Sequence, residues 1–194
     1  MPSAKRIIAD DSIYHIIQKG NNGRTLFEKK LDYQEFLEII QRYKKEFSFD
    51  LYNYCLMNNH LHMLMKVFKK EDLAKLTQAL FQNYRIYFKR QYKYTGHLYQ
   101  GRYKSKIIAN DEYLLECARY IETNPLRAKI VTSVKEYKWS SYNYYAYGGK
   151  NNLLTPNPLY ATFGKNKNTR QKNYRNFVLM PRFYEDIIDK ALKI

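Results

Sequence analysis

The stretch Phe49–Val67, which reads FDLYNYCLMNNHLHMLMKV, decides the fold. It contains two runs with strand-like composition, Phe49–Met57 and His60–Val67, and only Asn58-Asn59 separates them. Asparagine accepts the backbone conformations of tight turns, and two strands joined by two residues form a hairpin. We therefore predict a tight β-hairpin over these residues.

The segments on either side of this hairpin complete a β-α-β-β-α-β-α order. The alternating run Ile13–Lys19 predicts a first strand, and Asp32 opens a helix with Glu35 in capping-box spacing. The elements predicted downstream are a helix from about Glu71 to Tyr92, a strand over Tyr99–Ala109, and a helix from Asp111 to about Thr123, which should end near Asn124 because Pro125 follows.

This order predicts an α+β fold of the ferredoxin-like, split βαβ type, an antiparallel sheet with helices packed on one face. Composition changes little before about residue 148, so we predict one domain over residues 1–148 and a basic C-terminal extension over residues 149–194. In the extension, the polar run Lys165–Lys172 is loop-like, and a short helix is predicted from about Tyr184 to Leu192.

Charge and aromatic content point to a nucleic-acid partner. The formal net charge is +16, a field that favours polyanions over acidic proteins and neutral metabolites. The 21 tyrosines fit the same partner, because aromatic rings beside cations can stack on unpaired bases. A Lys-, Asn- and Tyr-rich composition also arises from AT-rich coding DNA, so charge supports a partner class and not a mechanism.

The chain has no predicted membrane segment. Charged residues interrupt every apolar run before the roughly 20 residues that span a bilayer. Asp10 and Asp11 lie where a signal peptide needs an apolar region, so the expected location is the cytoplasm. Cys55 and Cys117 fall in apolar patterns, and we expect them to be reduced core residues.

His60 and His62 lie two residues apart on a predicted strand, so their side chains leave from one face. Two neutral imidazoles on one face can bind a divalent ion, although adjacent histidines on a half-exposed strand often have no such role. The sequence does not predict a deaminase-type zinc site, because it contains neither the His-x-Glu nor the Cys-x-x-Cys that such a site requires. A metal would need another ligand from elsewhere in the chain.

Tyr120 and Asn124 lie four residues apart at the end of a predicted helix, on roughly the same side. Read alone, packing accounts for the tyrosine, and termination of the helix before proline accounts for the asparagine. The residues themselves leave both readings open.

A set of motifs in fixed order resembles one family, the REP-associated tyrosine transposase branch of the single-tyrosine HUH transposases. The resemblance covers about residues 12 to 145. Its two main motifs are MNNHLHML at Met57–Leu64 and YIETNPLRA at Tyr120–Ala128. The supporting segments are Tyr14-His15-Ile16, KGNN at Lys19–Asn22, GHLYQGRY at Gly96–Tyr103 and WSSY at Trp139–Tyr142.

The resemblance implies an HUH endonuclease core that cuts single-stranded DNA. By that resemblance, His60, His62 and Asn124 hold Mg²⁺ or Mn²⁺, and Tyr120 is the nucleophile that forms a 5′-phosphotyrosine intermediate. The implied substrate is single-stranded DNA folded into a REP-like hairpin. The protein could act as a monomer or a homodimer.

Three cations near predicted strand ends, Arg24, Arg102 and Lys104, are candidate phosphate contacts, although each could be an ordinary surface cation. Two other functions remain open. One is a domesticated protein that binds hairpin DNA, or structured RNA, without cleaving it. The other is a metal-dependent nuclease that uses water in place of Tyr120.

Overall fold

A four-stranded antiparallel sheet lies at the centre of the structure, a computed structural model that describes residues 8–182. The strands lie in the order β2-β3-β1-β4, and each neighbouring pair is antiparallel. This is the arrangement of a split βαβ fold, and it confirms the predicted fold class. The strands are β1 (Ser12–Lys19), β2 (Phe49–Leu56), β3 (His60–Val67) and β4 (Lys104–Ile107).

Five α-helices accompany the sheet in the described part of the chain. None of the helices within residues 8–182 has both the length and the apolar composition needed to cross a membrane. The helices are α1 (Lys30–Tyr43), α2 (Lys70–Tyr92), α3 (Asp111–Arg127), α4 (Tyr142–Tyr147) and α5 (Lys167–Leu179).

The helices cover both faces of the sheet, which corrects the prediction that they pack on one face. Met63 of β3 lies in one core with Phe36 of α1 and Leu80 of α2. Leu64, on the opposite face of the same strand, lies in a second core with Ile121 of α3. The physical reason is that the histidine-bearing face of the sheet also carries apolar side chains, among them Cys55 of β2 and Leu64 of β3, and α3 removes them from water.

Strand β4 is shorter than predicted. The prediction covered Tyr99–Ala109, whereas the strand contains only Lys104–Ile107. Gly101 has a φ of 68°, in the left-handed region, and interrupts the extended backbone. Before this break, the strand-like pairing of Tyr99 is an isolated bridge with Gly20.

Helix α1 begins two residues earlier than predicted. Asp32 lies inside its first turn, where its carboxylate accepts hydrogen bonds from the backbone amides of Glu28 and Lys29, each at 2.8 Å. Asp32 is therefore not the residue that begins the helix. It lies within the first turn and accepts hydrogen bonds from the amides that precede the helix.

Helix α3 ends later than predicted, because it continues past Pro125 to Arg127. Proline removes one helical hydrogen bond. It sits in the last turn, however, where the Ala128 amide still bonds to the Asn124 carbonyl at 2.9 Å. The motif around Asn124 is therefore held in helical geometry.

The region after residue 148 contains more regular structure than predicted. Helix α5 runs through most of the Lys165–Lys172 segment that was predicted to be a loop, and it buries Tyr174 and Val178. The short helix predicted over residues 184–192 lies outside the described residues. A domain boundary at residue 148 stays a prediction.

A buried carboxyl, Glu122, ties α3 to three other elements. Its Oε1 accepts hydrogen bonds from Asn53 Nδ2 of β2 at 2.8 Å and from the Ser141 hydroxyl, just before α4, at 2.5 Å. Its Oε2 accepts a 2.9 Å hydrogen bond from the Tyr174 hydroxyl of α5. Because Tyr120 lies on the same helix, this network also fixes the position of Tyr120 relative to the sheet.

This network should make stability depend on pH. Burial raises the pKa of Glu122 from 4.5 to about 7. Between these pH values the unfolded chain loses a proton that the folded protein keeps, so the contribution of Glu122 to the free energy of unfolding falls as pH rises from 4.5 to 7. Urea unfolding at several pH values should show that wild type loses stability relative to Glu122→Gln across this range. The exposed Glu38→Gln is the control, and a pH-independent difference for Glu122→Gln would contradict the assignment.

Candidate active site

The hairpin turn delivers two histidines to one end of β3. The Met57 amide donates to the His60 carbonyl at 2.9 Å and closes the turn. His60 Nδ1 lies 2.7 Å from the Asn59 side-chain oxygen, so the ring is held through that nitrogen. His62 follows on the same face and is 2% exposed. Both rings therefore have a defined orientation, with Nε2 as the nitrogen left for a ligand.

A third histidine, His15 of β1, supports His62. It is completely buried, and its Nε2 lies 2.9 Å from His62 Nδ1. In the sequence, His15 is recognisable only as part of a family motif, which predicts no role for it. The available signal was alternation along β1, which puts His15 on the face opposite the core residues Tyr14 and Ile16.

Helix α3 brings Tyr120 and Asn124 to these histidines. The Tyr120 ring is 7% exposed and meets the His62 ring edge-on, with 5.6 Å between ring centroids. Asn124 Nδ2 donates to the Tyr120 carbonyl at 2.7 Å, which leaves the amide oxygen as the part of this side chain able to bind a cation. The two predicted pairs, His60/His62 and Tyr120/Asn124, are about sixty positions apart in the sequence but lie together in the structure.

The side chains of His60, His62, Tyr120 and Asn124 line one cavity of about 360 Å³. Its other walls come from the end of β1 and from the segment before β4, and both regions carry polar groups. Sequence reasoning missed the contribution of Lys19 and Gln100 to this cavity. The lining residues are Ile17, Lys19, Gly20, Gly23, Asn59, His60, His62, Gln100, Tyr120 and Asn124.

The lip of the cavity is a close backbone contact. The Gly20 amide donates to the Asn59 carbonyl at 2.8 Å and joins the end of β1 to the hairpin turn. A Cβ atom at Gly20 would lie 2.0 Å from the Arg24 carbonyl oxygen. Only glycine fits at this position without moving the main chain.

Burial sets the ionisation of the site. It lowers the pKa of His60 to about 4, with Lys19 adding to the effect, and it lowers the pKa of His62 well below its usual value. Both imidazoles are therefore uncharged at neutral pH, the form that binds metals. Burial raises the pKa of Tyr120, while the Arg127 guanidinium, 5.2 Å from the ring centroid, opposes that rise.

The donor set fits a divalent cation. It offers one imidazole nitrogen each from His60 and His62 and the amide oxygen of Asn124. Across residues 8–182, no cluster of three or more His, Cys, Asp or Glu has the arrangement of a metal site. The amide would therefore have to complete the set, which leaves positions for water and phosphate oxygens, the ligands preferred by Mg²⁺ and Mn²⁺.

The three predicted phosphate contacts lie outside the cavity lining. The Arg24 guanidinium stacks on the Tyr94 ring at 4.0 Å, and Lys104 is exposed on β4. Arg102 lines a second hollow of about 490 Å³ together with Arg85 and His97. Their role as DNA contacts stays a prediction.

Comparison with known proteins assigns the chain to a class. The model of the family described as Transposase IS200 like matches residues 9–124, more than half of the chain. The protein belongs to this transposase family.

Two relatives are more specific. A protein of Haemophilus influenzae named as a REP-associated tyrosine transposase is 25% identical over 119 residues, which cover 56% of this chain and 68% of the relative. A solved structure of a REP-associated tyrosine transposase bound to a REP hairpin is similar with a TM-score of 0.63 at 16% identity. That match covers 81% of this chain and 93% of the other, and it shows that the two proteins share a fold.

Arg127 should control how readily Tyr120 ionises. Removing the guanidinium in Arg127→Ala takes away the positive charge beside the phenol, so the pKa of Tyr120 should rise further. Titration by NMR of protein carrying ¹³C-labelled tyrosine, with Tyr120→Phe used for assignment, measures this directly. Arg90→Ala on α2 removes the same charge elsewhere and should leave Tyr120 unchanged. An unchanged Tyr120 in Arg127→Ala would contradict the predicted effect.

Proposed function

We propose that the protein is a transposase that cleaves single-stranded DNA beside a hairpin and joins the 5′ phosphate to Tyr120. The observation that carries this proposal is the meeting of Tyr120, Asn124, His60 and His62 in one cavity. Packing alone does not require a tyrosine, an amide and two uncharged imidazoles to share a polar cavity. Membership of the transposase family supports the same reaction class.

The proposed metal ligands are His60, His62 and Asn124. Mg²⁺ or Mn²⁺ held by them would neutralise charge on a phosphate oxygen and so ease attack by an anionic nucleophile. Full burial of His62 and the hydrogen bonds to both rings at Nδ1 restrict the motion of these ligands. A preorganised donor set loses little entropy when it binds.

In the proposed reaction, the Tyr120 oxygen loses its proton to solvent and attacks phosphorus. A bond forms between the tyrosine oxygen and phosphorus, the bond from phosphorus to the 3′ oxygen breaks, and the departing oxygen takes a proton. The product holds a phosphotyrosine diester, so the reverse attack by a 3′ hydroxyl can reseal DNA. Arg127 favours the phenolate that starts this sequence.

The proposed DNA path joins the two hollows. Gly20 and Gln100 line the cavity that contains Tyr120, while the adjacent residues Asn21 and Gly101 line the second hollow. Arg102 in the second hollow offers a contact to phosphate. The solved relative is bound to a REP hairpin, and we propose a hairpin of this kind as the substrate.

The reaction predicts a covalent protein–DNA adduct. Purified protein is incubated with hairpin-forming single strands from its own flanking genome and Mn²⁺ or Mg²⁺, followed by denaturing gels and peptide mass spectrometry. Wild type should form an adduct at Tyr120 that disappears in Tyr120→Phe and in the presence of chelator. His60→Ala and His62→Ala should lower the rate by at least about 100-fold, because the cation loses a ligand. Tyr113→Phe on the same helix is the matched control and should retain the adduct.

Two results would overturn this proposal, and each would indicate a different function. Cleavage that persists in Tyr120→Phe would indicate a nuclease that uses water. Tight, salt-sensitive binding of the hairpin without any adduct in wild type would indicate a DNA-binding protein that does not cleave.

The predicted phosphate contacts should appear in the salt dependence of hairpin binding. Each cation that contacts phosphate contributes about 0.7 to the slope of log K against log salt on a single strand and about 0.9 on duplex DNA such as a hairpin stem. Arg102→Ala should therefore flatten the slope by about 0.7 to 0.9, whereas Lys75→Ala, an exposed cation on α2, should not. Fluorescence anisotropy at several salt concentrations measures both slopes. Equal slopes for Arg102→Ala and wild type would remove Arg102 from the interface.

A further inference from the structure

The role of His15 follows from where the register of β1 and β3 puts it. Ile17 pairs with His62 and His15 pairs with Leu64, so His15 lies diagonally beside His62 on one face of the sheet. Its ring stacks on the His62 ring with 5.2 Å between centroids and 21° between planes. The 2.9 Å contact between His15 Nε2 and His62 Nδ1 is thus part of a defined geometry.

Packing alone does not explain a histidine at position 15. It is completely buried on a strand whose neighbours Tyr14 and Ile16 are also completely buried. Its second ring nitrogen, Nδ1, has no hydrogen-bond partner within residues 8–182. A buried polar atom without a partner lowers stability, and an apolar side chain of similar volume would avoid that loss. Among the described residues, the one polar contact that His15 makes through its ring is with His62.

The contact between the two rings decides which nitrogen of His62 can bind a cation. One hydrogen lies between Nε2 of His15 and Nδ1 of His62, and each uncharged ring carries one N–H. If His62 donates, its Nε2 keeps a lone pair for a metal. If His15 donates, His62 carries its hydrogen on Nε2 and cannot be a ligand.

We propose that His15 is a positioning residue for the metal site. It accepts the Nδ1 hydrogen of His62 and so holds the Nε2 lone pair of His62 toward the cavity. The inference rests on the proposed function, because it assumes a cation bound to His62. It adds a residue that touches neither the cation nor DNA. Ligating histidines in metalloproteins almost always donate their second ring N–H to a carboxylate, a backbone carbonyl or water, and here the Nε2 of His15 would take the place of that acceptor.

The proposal separates metal affinity from stability. In the ligating form, His15 carries its own hydrogen on Nδ1, the buried atom without a partner. Replacing His15 by leucine removes this buried polar group together with the acceptor. The substitution also leaves the buried His62 Nδ1 without its partner, so the number of unpaired buried ring nitrogens does not change. His15→Leu should therefore stay folded with a stability close to that of wild type but should bind metal more weakly.

The probe is Mn²⁺ alone, titrated into the full chain and followed by the electron paramagnetic resonance of the free ion. His15→Leu should weaken binding about 10- to 100-fold. His15→Gln, whose side-chain oxygen can reach about where Nε2 lies, should restore most of the affinity. Ile16→Val, on the core face of the same strand, is the matched control and should bind as wild type does.

A second measurement reads the proton directly. In ¹⁵N-labelled wild type with Mg²⁺, long-range proton–nitrogen correlations should place the hydrogen of His62 on Nδ1, with coupling across the hydrogen bond to Nε2 of His15. This readout needs no variant, so it decides the question even if His15→Leu fails to fold.

Three results would overturn the inference. The first is unchanged Mn²⁺ affinity in folded His15→Leu, and the second is a His15→Gln variant as weak as His15→Leu. The third is a hydrogen on Nε2 of His15 in the Mg²⁺-loaded protein. Absence of Mn²⁺ binding by wild type would instead overturn the metal site itself, whereas the adduct at Tyr120 tests the cleavage reaction separately.

Discussion

The antiparallel pairing of β1 with β3 is the constraint on which the rest of the site depends. Its register sets Ile17 opposite His62 and Lys19 opposite His60, so the polar end of each strand reaches the same edge. A slip of one residue would turn His62 into the core and Met63 into the cavity, because successive side chains point to opposite faces. The apolar residues on the other face of β3 oppose that slip, and the packing of the core therefore also aligns the candidate ligands.

Helix α3 meets two opposing requirements. It must cover the second face of the sheet, which buries Tyr120, yet the same tyrosine is the candidate nucleophile. Burial keeps the histidines uncharged and suited to a cation, but it also disfavours the phenolate. Arg127 relieves part of that penalty from the last turn of the helix. Glu122 is also buried at a cost in free energy, but its hydrogen bonds offset part of that cost and hold the helix in place.

Sequence reasoning predicted those features that have local causes. The bounds of β3 follow from a largely apolar run after a two-residue turn, and the meeting of Tyr120 with His62 followed from family motifs. The end of α3 was wrong because Pro125 is tolerated in a last turn, which sequence rules read as a stop. Helix α5 was missed because few apolar residues mark its buried side. The contact of His15 with His62 depends on strand register, which a single sequence does not reveal.

The lip at Gly20 has a consequence for how the cavity can change shape. Here two loops meet through main-chain atoms, with the Gly20 amide bonded to Asn59 and no room for a side chain. A cavity wall formed by side chains can move when those side chains change rotamer. A wall formed by hydrogen-bonded peptide groups moves only when the hydrogen bonds break. The cavity is therefore rigid on its Gly20 side, where the backbone sets its shape, and any widening falls to walls formed by side chains such as Lys19 and Gln100.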